Sequence, residues 1–320
     1  KMKTSFNMYR GIETPISTIE MMNSQDWMKV QEEAQYDPSR GTPSKYKPML
    51  NFQPDTLANY NWQDIIFENA LSENYDISIS GGNEVSKMLV SASYSNQDGI
   101  VKASGYERLT FRINSEHKIS DRITFDQKIN VLNTKTEGLD EWEWHNYYSN
   151  PVYRTLTMDP AMPAYDQNGL WSSSIFSNVN PLVNLDMRDK VNKNVNMSGN
   201  FGLKIDLIKG LSFTSRFAGS MGFGDMKQYE AIYYATETDN NSIDKLTQDM
   251  SRSFTYNFQN LLHYNVTLAD AHNVSVMMGM EANKWWGYNI GGTRKNMPST
   301  DPNMLYFDKS TNGEDNQQFI

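Results

Sequence analysis

Residues 75–132 read YDISISGGNEVSKMLVSASYSNQDGIVKASGYERLTFRINSEHKISDRITFDQKINVL, four alternating runs broken by short turns. Tyr75, Ile77 and Ile79 alternate with Asp76, Ser78 and Ser80 before Gly81-Gly82-Asn83. Val90, Ala92 and Tyr94 alternate with Ser91, Ser93 and Ser95 before Asp98-Gly99. Leu109, Phe111 and Ile113 are interleaved with Arg108, Thr110, Arg112 and Asn114 as far as Ser120-Asp121. Ile123, Phe125, Ile129 and Val131 stand among Thr124, Asp126, Lys128 and Asn130. A period of two means strands, because successive side chains project to opposite faces. One face is apolar and aromatic, and the other carries charges, hydroxyls and amides. Such a sheet is either wet on one side or part of a membrane barrel with lipid outside and water within.

The pattern extends outward from this block. A strand is expected over residues 3–10, followed by a polar stretch with helical patches at 24–34, capped by Ser24, and 62–68. The cleanest alternation sets Val195, Met197, Gly199, Phe201, Leu203, Ile205 and Leu207 against Asn196, Ser198, Asn200, Lys204 and Asp206. Lys209-Gly210 turns it into Leu211, Phe213 and Phe217. Phe254 to Leu268 and Val274 to Met280 form a last pair, and beyond Trp285-Trp286 the chain reads as loop. About nine strands result. Long connections at 11–74, 134–190 and 222–250, with a short exception near Gly99, alternate with short turns near Gly82, Ser120, Lys209 and Asp270, so the long ones leave one end of the sheet. Several strands exceed ten residues, longer than the usual five or six or so. Short turns at one end, long loops at the other and half-apolar strands describe an all-β, antiparallel, up-and-down transmembrane barrel. The alternative is a soluble β-rich glycan-binding or adhesin module, with the apolar face buried under a second sheet.

Composition narrows the function. The 320-residue chain has a net charge of −9 and no long basic run, which argues against nucleic acid. Mean hydropathy is −0.66, and no apolar run approaches the roughly 18–20 residues of a membrane helix, which says nothing against a barrel. Cysteine is absent, removing disulfides and thiolate chemistry. His117, His145, His263 and His272 are scattered without ligand spacing, so neither a metal nor another cofactor is expected. Gly81–Lys87 joins two strands and lacks phosphate-loop spacing, so it reads as a turn. No Gly-x-Ser-x-Gly elbow is present, and no enzymatic activity is expected. Asp140, Glu141 and Glu143 read as adjacent solvated charges on a loop rather than as a pair across a cleft.

The 75–130 segment resembles the early barrel of the SusC/RagA-type TonB-dependent transporters. The resemblance rests on Ser80-Gly81-Gly82, Asn96-Gln97-Asp98-Gly99-Ile100, Tyr106-Glu107-Arg108, and Arg112-Ile113-Asn114 ahead of His117-Lys118-Ile119. It continues through Trp62-Gln63-Asp64 with Ile66-Phe67, Asn180-Pro181-Leu182, Lys209-Gly210-Leu211, and His272-Asn273 with Gly279-Met280-Glu281. It implies an outer-membrane protein of a Gram-negative bacterium, importing oligosaccharide or peptide beneath a SusD-like surface lipoprotein. It also implies a 22-stranded barrel around an N-terminal plug through which the TonB complex acts. Residues 1–320 correspond to the N-terminal portion of that barrel, without a plug or TonB box, so the chain is expected to belong to a longer one. The aromatic-rich 134–190 loop supplies the candidate ligand contacts Trp142, Trp144, His145, Tyr147, Tyr148 and Trp171, since flat rings stack on sugars or side chains. Tyr94, Tyr256, Tyr264, Trp285 and Trp286 suit interfacial aromatic girdles against outer-membrane lipid.

Overall fold

The computed structural model describes residues 2–35, 58–138, 150–172, 180–235, 240–269, 271–301, 305 and 317–319. Its centre is one antiparallel sheet of ten strands in the order β1-β2-β3-β4-β5-β6-β7-β10-β11-β12, every neighbour adjacent in sequence within the sheet. The strands are β1 (Lys3–Glu13), β2 (Ala70–Gly82), β3 (Ser86–Asp98), β4 (Gly105–Ser120), β5 (Ile123–Glu137), β6 (Arg188–Ile208) and β7 (Leu211–Glu230). They continue with β10 (Lys245–Leu268), β11 (His272–Lys295) and the short β12 (Gln317–Phe319), while β8 (Tyr233–Tyr234) and β9 (Asn240–Asn241) form a separate ribbon. The helices are α1 (Ser24–Gln35), α2 (Trp62–Ile66), α3 (Pro151–Thr155) and α4 (Pro181–Met187).

Cross-strand register gives each face a continuous identity. One row runs Phe6, Ile77, Ala92, Phe111, Val131, Met197, Met221, Phe254, Trp286 across nine strands. These side chains are not under a second sheet: Phe111 is 40% exposed, Met197 43% and Met221 46%. Exposed apolar area this extensive marks a surface meant for something other than water. Among the described residues no layer covers this face, and its exposure favours the membrane barrel over the soluble module. The apolar band on β6 runs from Val195 to Leu207. That is roughly 40 Å along the strand at about 3.3 Å per residue, or roughly 30 Å along the axis at a tilt of about 40°. This matches a hydrocarbon core.

A row of charges closes the band at its upper edge. On the same face, two residues beyond the apolar row's neighbours, Arg10, Glu73, Glu107, Lys135, Lys193 and Asp225 lie side by side, with Asn96 between the two glutamates. Arg10 and Glu73 are 2.9 Å apart. On β1 to β7 full charges return where the sheet leaves lipid, since a charge at the bilayer centre is costly and one near the interface is not, whereas on β11 Lys284 stands on the same face opposite Tyr256, inside the band.

The strands overrun the limits expected from periodicity. β7 continues to Glu230, β10 starts at Lys245 and β11 persists to Lys295, so the connection is 231–244 rather than 222–250 and no loop begins at Trp285. Past the charged row the outward face no longer needs to be apolar, so pairing continues while the period-two signal ends. The short turns are two or three residues long, at 83–85, 121–122, 209–210 and 269–271, and every longer connection leaves the opposite end. In the first turn Asn83 Oδ1 accepts from Val85 N at 2.9 Å and Ser86 N at 2.8 Å. Gly210 takes φ of 81°, where a side chain would be strained and would run into the backbone carbonyl of Asn265.

The apolar core lies beyond the sheet, in a cap built by the long connections. Ile66 of α2 packs with Val101 from the β3–β4 turn and Leu182 and Leu185 of α4. Trp62 packs on Met158 and Met162, and its indole N–H donates to the Asp159 carbonyl at 3.1 Å. Three helices start at asparagine caps, Asn61, Asn150 and Asn180, the last two followed by proline at the first helical turn. At α1 the cap is Asn23, whose Oδ1 accepts from Asp26 N at 2.8 Å. Ser24, expected to cap it, is buried instead and donates to the Ala58 carbonyl.

Replacing outward-facing Met197 with arginine is expected to cost about 2–4 kcal/mol, and arginine at Asn200 about 0–1 kcal/mol, read by reversible unfolding in lipid vesicles. Trp62→Ala should destabilise the cap by about 3–5 kcal/mol while the sheet holds. Hydrogen exchange should accelerate at 62–66 and 156–162 and remain slow in β4 to β7.

Candidate functional site

Five of the six candidate ligand contacts, Trp142, Trp144, His145, Tyr147 and Tyr148, lie outside the described residues. The structure fixes the anchors of the connection that carries them. Gly138 N donates to the Lys190 carbonyl at 3.1 Å, and Asn150 Oδ1 accepts from Val152 N at 2.8 Å. The described chain thus leaves the sheet at Gly138 and resumes at Asn150, the cap of α3.

The sixth, Trp171, is held in a small polar and aromatic cluster on that cap. Its indole N–H donates to Asp186 Oδ2 at 2.8 Å, and the Tyr165 hydroxyl donates to the same oxygen at 3.2 Å. Tyr165 and Trp171 face each other across an isolated antiparallel bridge. Tyr233 meets the indole edge-on, with centroids 6.5 Å apart and planes at 78°, a favourable quadrupole arrangement. Burial, and then the neighbouring Asp186 carboxylate, push the Tyr165 hydroxyl above its ordinary pKa, so it remains a donor at neutral pH.

The loop between the two rings is tied by Asp166. Its Oδ1 accepts from Asn168 N at 2.8 Å and Leu170 N at 2.9 Å, and Gly169 adopts φ of 78°. The Leu170 N–H is the largest cause holding the Asp166 carboxyl below the usual carboxylate range. Asn180 serves both its helix and this loop, donating to the Ala164 carbonyl at 2.8 Å while Oδ1 accepts from Leu182 N at 3.0 Å. With Trp171 fixed by the Asp186 carboxylate, which Tyr165 also bonds, and by the ring of Tyr233, the cap presents a rigid aromatic contact. Tyr153, Leu170, Ile232 and Tyr234 stand exposed on connections at the same end. Sequence reasoning singled out Trp171 but missed Asp186 and Tyr165. The Asn180-Pro181 helix start, which positions Asp186, was the available signal.

A second concave surface lies on the polar face of the sheet. A groove of about 600 Å³ crosses β4, β5, β6, β7 and β10. A neighbouring one of about 860 Å³ lies nearer the short turns, where Lys87 and Glu116 are 3.6 Å apart. The tryptophan pair divides between the faces. Trp286 pairs with Phe254 on the apolar side, whereas Trp285 pairs with Thr255 on the polar side and lies against Gly287. The two cannot share a lipid girdle, because adjacent residues on a strand point oppositely. Among the described residues no group of three or more acidic or histidine side chains could hold a metal.

No family model matches the chain. Among curated proteins it is 25% identical over 227 residues to TonB-dependent receptor P39 of Formosa agariphila, covering 70% of this chain and 21% of that protein. It is 26% identical over 244 residues to TonB-dependent receptor P26 of the same organism, covering 72% and 23%. It is 30% identical over 162 residues to TonB-dependent receptor SusC of Bacteroides thetaiotaomicron, covering 43% and 16%. The chain therefore spans less than a quarter of the length of these relatives. Among solved structures, the RagAB peptide importer in its closed-closed state superposes with a TM-score of 0.79 at 18% identity, over all of this chain and 38% of that one. The open-open state gives the same TM-score. At that identity the structural likeness speaks for the fold, and the named receptors speak for kinship. Together they make the chain similar to a stretch of barrel wall of the SusC/RagA-type TonB-dependent transporters, the family that its motifs resemble.

Proposed function

We propose that the protein serves in the import of a nutrient, an oligosaccharide or a peptide, across the outer membrane of a Gram-negative bacterium. The observation that carries this reading is the sorting of the sheet. An exposed apolar band about one bilayer thick forms one face and a polar concave wall forms the other, with every long connection gathered at one end. A closed sheet of this kind separates lipid from a watery passage and offers its loops to the medium. The kinship with proteins named TonB-dependent receptors supports the same reading. In it, energy for import comes from a TonB complex through a plug, and solute is first met at the cap beneath a SusD-like lipoprotein. The exposed Tyr153, Leu170, Ile232 and Tyr234 suit contact with such a partner, because aromatic and aliphatic side chains dominate interface cores. In this reading Trp142, Trp144, His145, Tyr147, Tyr148 and Trp171 touch the incoming solute.

The reading is tested by expressing the intact receptor and following its insertion and solute uptake. A protein absent from the outer membrane, or uptake unchanged by its deletion, contradicts it. Trp142→Ala with Trp144→Ala should weaken solute or lipoprotein binding by more than about 1 kcal/mol and leave the heat-modifiable mobility of the barrel unchanged. Unchanged binding removes both rings from the site, and lost assembly makes them packing residues. Asp186→Ala should weaken the same binding by severalfold, since Trp171 and Tyr165 lose their shared acceptor. Trp171 fluorescence should then report greater solvent exposure.

A further inference from the structure

The apolar, outward face of the sheet is not electrically uniform along its upper edge. Register is unbroken from Lys245 to Lys295, so the face that carries Phe254 and Trp286 also carries Arg252 of β10 and Lys284 of β11. No aspartate or glutamate stands on that face of either strand, because Asp249 and Glu281 fall on the opposite one. The carboxylate nearest in register is Asp225 of β7, diagonal to Arg252. Its Oδ1 accepts from Gln248 Nε2 at 3.2 Å, and Lys193 stands directly across from it. Among the described residues neither Arg252 nor Lys284 makes an ion pair or a side-chain hydrogen bond, and both are exposed. Elsewhere along this edge cations are neutralised, Arg10 by Glu73 and Lys135 by Glu137. Lys284 stands twelve residues above His272, as far as Val195 stands from Leu207 on β6, so it lies in the upper part of the apolar band. A lysine at that depth reaches up along its stem towards a counter-charge at the interface. Arg252 and Lys284 are four residues apart along the ladder and one strand across, roughly 14 Å. The exposed rings of Trp286 and Tyr288 lie on the same patch.

We propose that this patch is a site for one phosphorylated glycolipid of the outer leaflet, whose phosphates Arg252 and Lys284 hold while its acyl chains lie along the apolar rows of β7, β10 and β11. Arginine offers a planar fork that matches phosphate oxygens, and lysine adds a point charge on a flexible stem. The separation of the two cations suits a headgroup that carries more than one phosphate. Trp286 and Tyr288 give the sugar a ring face with a polar edge at the level where such rings settle. A zwitterionic lipid fits less well, because its own ammonium competes for its phosphate. The inference rests on the outer-membrane reading above and adds to it a lipid partner on the outside of the wall, apart from any solute.

The test uses the full-length receptor purified in detergent, stripped of lipid and titrated with three probes, with native mass spectrometry and melting temperature as readouts. The probes are bisphosphorylated lipid A, the same lipid with both phosphates removed, and phosphatidylglycerol. The expected result is one tightly bound bisphosphorylated lipid that raises the melting temperature, with the other two probes bound more weakly. Arg252→Gln with Lys284→Gln should weaken the bisphosphorylated lipid by about tenfold or more. The same variant should leave binding of the dephosphorylated lipid and the melting temperature of the lipid-free receptor unchanged. Equal binding of the phosphorylated and dephosphorylated lipids, equal binding of phosphatidylglycerol, or binding that the variant retains overturns the proposal. A variant whose lipid-free form melts at lower temperature with no loss of lipid binding assigns the two cations to a neighbouring strand of the receptor, and overturns it equally. Failure of the outer-membrane reading is recognised separately, as wild-type receptor that is absent from that membrane.

Discussion

Backbone amides facing hydrocarbon have no water to bond, and that constraint governs the rest of the structure. Each unsatisfied N–H or C=O in lipid costs several kcal/mol or so, and only helices or laterally paired strands avoid it. No helix among the described residues is long and apolar enough to cross a membrane. The chain uses the second solution: an antiparallel ladder in which β2 to β7 and β10 are paired along both edges. Side chains can then be sorted by face alone. Apolar ones go to lipid, where they need no protein partner, which is why Met197 and Met221 are nearly half exposed in a well-ordered sheet. Polar ones go to the opposite face, which does not meet lipid.

The same constraint explains why the apolar core sits at the rim. A single-layer wall buries little between its own residues, so the burial that stabilises ordinary domains appears where the connections fold over one another. Trp62, Ile66, Met158 and Leu182 come from distant parts of the chain and meet at one end because every long connection leaves there. Hydrogen bonds fasten this assembly to the preceding segment. Gln63 is nearly fully buried, and its amide bonds both the N–H and the C=O of Ile19, at 2.9 and 2.7 Å. A cap ordered in this way holds Trp171 and Asp186 in fixed relation to the mouth of the barrel.

What could be read in advance follows from where lipid imposes a pattern. Between Val195 and Leu207 each outward position must be apolar, so the alternation shows through and the strand is legible residue by residue. Above the charged row nothing constrains the outward face, so the extensions of β7, β10 and β11 carry no alternation and read as loop. The helices of the cap are five to seven residues long apart from α1, too short to show a period. Their asparagine caps and following prolines were better guides than hydropathy. Trp171 was visible as an aromatic in a long loop, whereas its partner Asp186 acquires meaning only once α4 is placed against the loop that ends at Trp171. Arg252 and Lys284 are legible as cations, but not as two on one patch, because register between strands is set by turns and bulges rather than by either strand alone.

The central claim is that the two faces of this sheet meet lipid and water, and since these 320 residues contain no cysteine, each position in them is open to an engineered one. Single cysteines placed in turn from Asn194 to Leu207 of the full-length receptor can be spin-labelled and reconstituted in bilayers. Their accessibility to oxygen and to a water-soluble nickel chelate is then compared. The account predicts a period of two, with oxygen accessibility peaking at Val195, Met197, Phe201, Leu203 and Ile205, and chelate accessibility peaking at Asn196, Ser198, Asn200 and Lys204. Loss of the alternation, or low accessibility to both reagents at the apolar positions, would mean that this face is covered by protein and would contradict the barrel.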